Sequence, residues 1–208
     1  MKGLLLKDLL GLRKYLRTVM LIIALYALMT FLMDSAVFLG GMIVIMSAMI
    51  AVTSFSFDHL AGWDVYALSL PVSRRDVVAS KYVLALIFTL GGTALSVLVS
   101  VLHGAFQHSG DLLETLATNY ALFVVGMVFV AILLPLLFKF GAEKARLLIV
   151  AVFAVPTAVF VALSTVSDIK LPNEQTIARL LALSPLILIV VGAISYAASC
   201  AIYRSKEV

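Results

Sequence analysis

Residues 82–102 read YVLALIFTLGGTALSVLVSVL, without an Asp, Glu, Lys, Arg or His among them. A helix of about 20 apolar residues crosses a bilayer core of roughly 30 Å, so this stretch alone predicts a membrane span. Runs lacking Asp, Glu, Lys and Arg cover 35–57, 82–110, 115–138, 147–167 and 180–203. A shorter run, 18–33, follows Arg17, whose long side chain can snorkel outward, and ends at Asp34. It shares the two-residue turn Asp34–Ser35 with the next run and reads as half of a transmembrane hairpin. The expected spans are about 18–33, 36–57, 82–102, 116–138, 147–166 and 180–203: six helices in one all-α integral membrane domain over 1–208.

Composition agrees. Of 208 residues, 63% are hydrophobic and 12% charged, about half the roughly 25% charge of a soluble domain. That excludes a disordered chain and an ordinary water-soluble enzyme. Basic residues in short loops set orientation. Six spans place residues 1–17, 58–81, 139–146 and 204–208 on one face with 13 of the 15 Lys and Arg, leaving Lys170 and Arg179 opposite. Acids divide six against five. Both termini are therefore expected in the cytoplasm, and Tyr15, Trp63, Tyr66, Tyr82 and Tyr203 fall at that headgroup level. Basic loops beside anionic lipid account for the net charge of +4 without nucleic acid. The first apolar run follows an amphipathic stretch and no small-x-small cleavage site closes it, so no secretory signal peptide is expected.

Two cytoplasmic segments carry a pattern. Leu5, Leu9, Leu12 and Leu16 recur on one helical face, with Lys7, Arg13, Lys14 and Arg17 off it. Such a basic amphipathic helix is expected to lie in the membrane interface, as a topology anchor or as an elbow that touches a partner. In the longest loop, Pro71 disfavours helix at Leu70. Ser73 can cap a helix that starts near Arg74, with Asp76 completing a capping-box-like start. Leu68, Leu70 and Val72 precede it on a bent connection, which serves either as a docking surface or as membrane-surface contact.

Chemistry is sparse. There is no Gly-Lys dipeptide, hence no phosphate-binding Walker loop, no His followed by Glu and no GxSxG. A lone Cys200 forms no intrachain disulfide and reads as packing. His103, His108, Asp111 and Glu114 at the outer end of span three read as solvated loop residues or as a metal site. Asp58 and His59 read as an interfacial hydrogen-bonded pair or a proton switch. Asn119 reads as a helix-end cap. Ion-coupled transporters mark their paths with intramembrane charge; these spans hold none in their cores, so any transport draws its energy from elsewhere. Two mild polar stripes remain: Met42, Met46, Met49, Thr53 and Ser56 in span two, and Thr89, Thr93, Ser96 and Ser100 in span three. Each serves helix or dimer packing, or the wall of a pathway. Pro135, Pro156 and Pro185 should kink their spans.

The opening Met1-Lys2-Gly3-Leu4-Leu5-Leu6-Lys7-Asp8, and the loop Gly62-Trp63-…-Tyr66-…-Ser69-Leu70-Pro71-Val72-Ser73-Arg74-…-Val77-Val78-…-Ser80-Lys81-Tyr82, resemble the type-2 ABC permeases of bacteria. Within that family the chain is most similar to the short six-span subunits of exporters for amphipathic peptide toxins of the phenol-soluble modulin type, and for peptide-antibiotic resistance. The resemblance implies a second permease copy, identical or related, and two cytoplasmic ABC ATPase subunits holding ATP and Mg. It implies no catalysis and no cofactor in this chain, and residence in the bacterial cytoplasmic membrane. It also implies a coupling helix between spans two and three, placed at Leu70, Pro71, Val72, Ser73, Arg74, Arg75 and Asp76, and a connecting helix at the N-terminus. An amphipathic peptide or lipid-like substrate would be exported. The outer loops are too short for the large extracellular domain of some relatives. Other readings are the substrate-binding subunit of a vitamin importer, a non-transporting immunity or regulatory protein, and, third, an intramembrane enzyme.

Overall fold

The computed structural model describes residues 2–33, 36–63, 66, 73–107, 111–166 and 173–205, leaving aside the side chains of most of 142–166 and of much of the first turns after 173. The described residues form α1 (Lys2–Met33), α2 (Ala36–Leu60), α3 (Arg74–Gln107), α4 (Leu112–Val166) and α5 (Glu174–Arg204), with no strand among them. Among the described residues, five stretches are long and apolar enough to cross a membrane: Gly3–Leu32, Ala36–Leu60, Arg74–Gln107, Leu112–Gly141 and Arg179–Arg204. The expected span 147–166 lies in the last part of α4. That part is helical, but most of its side chains fall outside the described set.

α4 is broken at Gly141, where φ is 74° and ψ 174°. Positive φ costs a residue with a Cβ, so glycine occupies the break. The break divides the expected fourth and fifth spans inside the predicted basic loop 139–146.

The N-terminal region differs from expectation. α1 runs unbroken for 32 residues, about 48 Å at 1.5 Å per residue, so the expected interfacial helix over 1–17 has no elbow and is the first half of the first span's helix. The reason is burial of a stripe that continues across both halves. Leu12, Val19 and Ile23 pack with Ile43 and Ile50 of α2 and Leu84 of α3, and Leu5, Tyr15 and Leu16 join them. Arg13, Lys14 and Arg17 stay exposed, as their off-stripe positions require.

α2 and α3 share the most extensive contact in the bundle, with α4 against both. Ala48, Ala51 and Ala85 bring the backbones close beside Val130, Leu134 and Leu137. Gly92 marks the tightest approach, since a Cβ there would overlap the Ser47 side chain. At the end of the bundle where α1 and α3 begin, Leu4, Val77, Val78, Phe138 and Tyr203 close a third cluster spanning α1, α3, α4 and α5.

Candidate functional site

The start of α3 forms as its residue types dictate. The Asp76 backbone N–H donates to Ser73 Oγ at 3.1 Å, and Ser73 Oγ in turn donates to Asp76 Oδ2 at 2.7 Å. This reciprocal arrangement satisfies an otherwise orphaned amide and places a carboxylate at the positive helix end. The helix that begins at Arg74 is α3 itself, so Arg74, Arg75 and Asp76 form the first turn of the long third helix. Of the other expected docking residues, Leu70, Pro71 and Val72 lie outside the described residues.

Arg74 has an intramolecular task that sequence alone did not expose. Its Nη1 donates to the carbonyl of Arg204 at 2.6 Å and to that of Tyr203 at 3.4 Å. These are last-turn carbonyls of α5, orphaned by the end of the helix and carrying its negative pole. Arg75 is exposed.

Two turns further into α3, Lys81 is only 3% exposed, and Asp8 of α1 only 4%. Lys81 Nζ donates to Asp8 Oδ2 at 3.0 Å and to Ser54 Oγ at 2.7 Å, and lies 2.5 Å from Asp58 Oδ2. Two of its ammonium donors are thus taken by hydrogen bonds, and Asp58 adds a second carboxylate as an ion pair. Lys7 closes the figure, 2.5 Å from Asp58 Oδ1 and 2.9 Å from Asp8 Oδ1, with its Nζ 3.9 Å from the Trp63 ring centroid. Two bases and two acids alternate and cancel, which permits the burial of Asp8 and Lys81 beside the half-buried Lys7 and Asp58, where a lone charge would be costly.

Sequence reasoning treated these residues differently. Lys7 was expected among the interfacial cations, yet it is tied to α2. Asp58 pairs with Lys7 and Lys81, while His59 is exposed beside the break at Gly141. Asp8 and Lys81 were missed as site residues. Their signal was present: Asp8 falls four residues from both Leu4 and Leu12, and Lys81 lies in helical register with Ala85, Thr89, Gly92 and Ser96, all buried.

Of the two polar stripes, Thr89 and Ser96 are fully buried inside the single chain. Thr89 and Thr93 donate to carbonyls one turn earlier, at 2.8 and 2.9 Å. Ser96 Oγ donates to Asn119 Oδ1 at 2.6 Å and sits where a side chain at Gly40 would be. Asn119 is therefore an interhelical link between α4 and α3, which corrects the helix-cap expectation; its Nδ2 donates to the Thr115 carbonyl and reaches Ser100 Oγ at 3.4 Å. Met42, Met46, Met49, Thr53, Thr93 and Ser100 are half-buried. A second polar tie holds α5. Tyr82 OH shares hydrogen bonds with Ser195 and Ser199 at 2.6 and 2.8 Å, and Ser195 Oγ donates to the Ala131 carbonyl of α4. No cluster of metal-ligating side chains occurs among the described residues.

This end of the bundle thus combines a capped α3 start, a guanidinium closing α5 and a neutral four-charge ring joining α1, α2 and α3. These contacts tie α1, α2, α3 and α5 together there. No curated protein matches the chain. A family model described as ABC-2 family transporter protein matches residues 3–204. Over almost its whole length, then, this membrane-spanning chain belongs to the ABC-2 family of transporter proteins, whose permeases generally work with a cytoplasmic ATPase.

Proposed function

We propose that the chain is the permease subunit of a bacterial exporter that moves an amphipathic peptide, a toxin or antimicrobial peptide, out of the cell. The family match over residues 3–204 is the observation that carries this reading. Two copies, identical or related, each crossing the cytoplasmic membrane six times with both termini inside, would enclose the path. Two separate ATPase subunits would bind ATP and Mg and supply the power. The scarcity of charge in the spans supports an external energy source, and the half-buried Met42, Met46 and Met49 support a wall that adapts to apolar cargo.

Docking of the ATPase falls to Leu70, Pro71, Val72, Ser73, Arg75 and Asp76, with Arg74 holding α5 beside them. ATP-driven closure of the ATPase pair moves this segment, and the helices alternate between inward and outward access. The test is a pull-down from host membranes combined with ATP-dependent uptake of a fluorescent amphipathic helical peptide into inside-out vesicles. The expected result is a co-purified ATPase and uptake that vanishes without the chain. Uptake equal in vesicles lacking the chain, or no ATPase in the pull-down, would overturn the proposal.

A further inference from the structure

The ring formed by Lys7, Asp8, Asp58 and Lys81 is placed at both stems of the cytoplasmic segment between α2 and α3. Asp58 stands two residues before the end of α2 at Leu60, and Lys81 follows the start of α3 at Arg74 by seven. Asp8 and Lys7 bring α1 to both of them. Around the ring every neighbour is opposite in charge: Lys7, Asp8, Lys81, Asp58 and back to Lys7.

A buried ion pair adds little stability over apolar packing of the same volume, but removing one partner is severe. Such a cluster therefore tolerates little sliding or splaying of the helices that hold it, because any opening leaves a charge unmatched. Lys81 is the most constrained member, with Asp8, Asp58 and Ser54 around its ammonium. Lys7 is the corner nearest water, at the edge of a cavity of about 280 Å³ lined also by Gly11, Phe57 and Trp63.

We propose that this ring locks the cytoplasmic ends of α1, α2 and α3 into one lever, with Asp8 and Lys81 as positioning residues that couple movement of the docking segment to the spans. The inference rests on the ATPase-driven reading above. Displacement of segment 61–73 reaches α2 and α3 through its two stems, and the ring delivers it to α1 at the same time.

The test uses the full chain with its co-purifying ATPase in lipid nanodiscs, with spin labels at Leu10 on α1 and Ile87 on α3, both exposed. In the unaltered complex the label distance is expected to be narrow and the same without nucleotide and trapped with ATP and vanadate. Lys81→Met alone leaves an unmatched acid and is prone to misfold. The informative variant is the neutral pair Asp8→Asn with Lys81→Met, which keeps the Lys7–Asp58 pair. There the distance is expected to broaden and to depend on nucleotide, and peptide transported per ATP hydrolysed to fall at least tenfold. Inverting all four charges keeps every neighbour opposite, whereas exchanging any one adjacent pair sets like charges together. That four-way inversion should restore the narrow distance and at least half of the coupling. A nucleotide-dependent distance in the unaltered chain, or unchanged coupling in the neutral pair, would overturn the lever while leaving the exporter standing. Absence of any co-purifying ATPase would overturn both.

Discussion

Tyr82 shows how single side chains hold this bundle. Its hydroxyl joins Ser195 and Ser199 of α5, the helix with the smallest buried share of its apolar window. Interhelical hydrogen bonds in membranes contribute about 0.6–2 kcal/mol each, so Tyr82→Phe is expected to destabilise the chain by about 1–2 kcal/mol. An SDS-titration unfolding midpoint measures this. Arg74 and Arg75, adjacent and chemically alike, should separate under mutation. Arg74→Glu removes two bonds to α5 carbonyls and brings a negative charge to a negative helix end, a loss of about 0.5–1 kcal/mol visible in the same titration. Arg75→Glu should leave the midpoint unchanged yet reduce ATPase co-purification at least fivefold. Equal effects of the two on stability would contradict the geometry. Neighbours in sequence point in different directions on a helix, which is why the different surroundings of Arg74 and Arg75 could not be read before α5 was in place.

Among the elements, the contact of α2 with α3 organises the rest. Gly92 faces Ser47 and the Ile43 carbonyl closely, whereas Gly91 has open space beside it. Gly92→Val is expected to separate these helices and cost about 3 kcal/mol or more through overpacking. Gly91→Ala should be neutral or slightly stabilising, and detergent size-exclusion profiles of the two variants distinguish them. The hydroxyl stripe of α3 was legible as a helical face from its spacing. That Thr89 and Ser96 would turn toward α2 and α4 was not, because hydroxyl residues suit a pathway wall and a tight helix contact equally. Likewise the apolar stripe of α1 was legible, but its continuation past residue 17 against α2 and α3 depended on partners distant in the chain. The capping box at Ser73 was readable in full, being made within one turn.

At the level of the whole molecule, the arrangement of spans across the membrane is directly testable. In a Cys200→Ser background, cysteines placed at residues 143 and 170 should react with a membrane-impermeant maleimide from opposite sides. The expected pattern is 143 from the cytoplasm and 170 from outside, with a C-terminal reporter inside. Labelling of both from one side would mean that the segment after Gly141 does not cross. Five of the six expected spans, the helical character of the described residues and the uneven spread of Lys and Arg along the chain were legible in the sequence alone. These depend only on run length, local spacing and composition, which neighbouring residues decide among themselves. Which polar groups meet was decided by tertiary structure alone: Lys81 with Asp8 and Asp58, Ser96 with Asn119, Arg74 with the end of α5. Each meeting depends on the rotation and separation of two helices, set where Gly92, Gly40 and the alanines let backbones approach. A charge in a solvated loop and a charge paired between helices look alike until the helices that enclose it are packed.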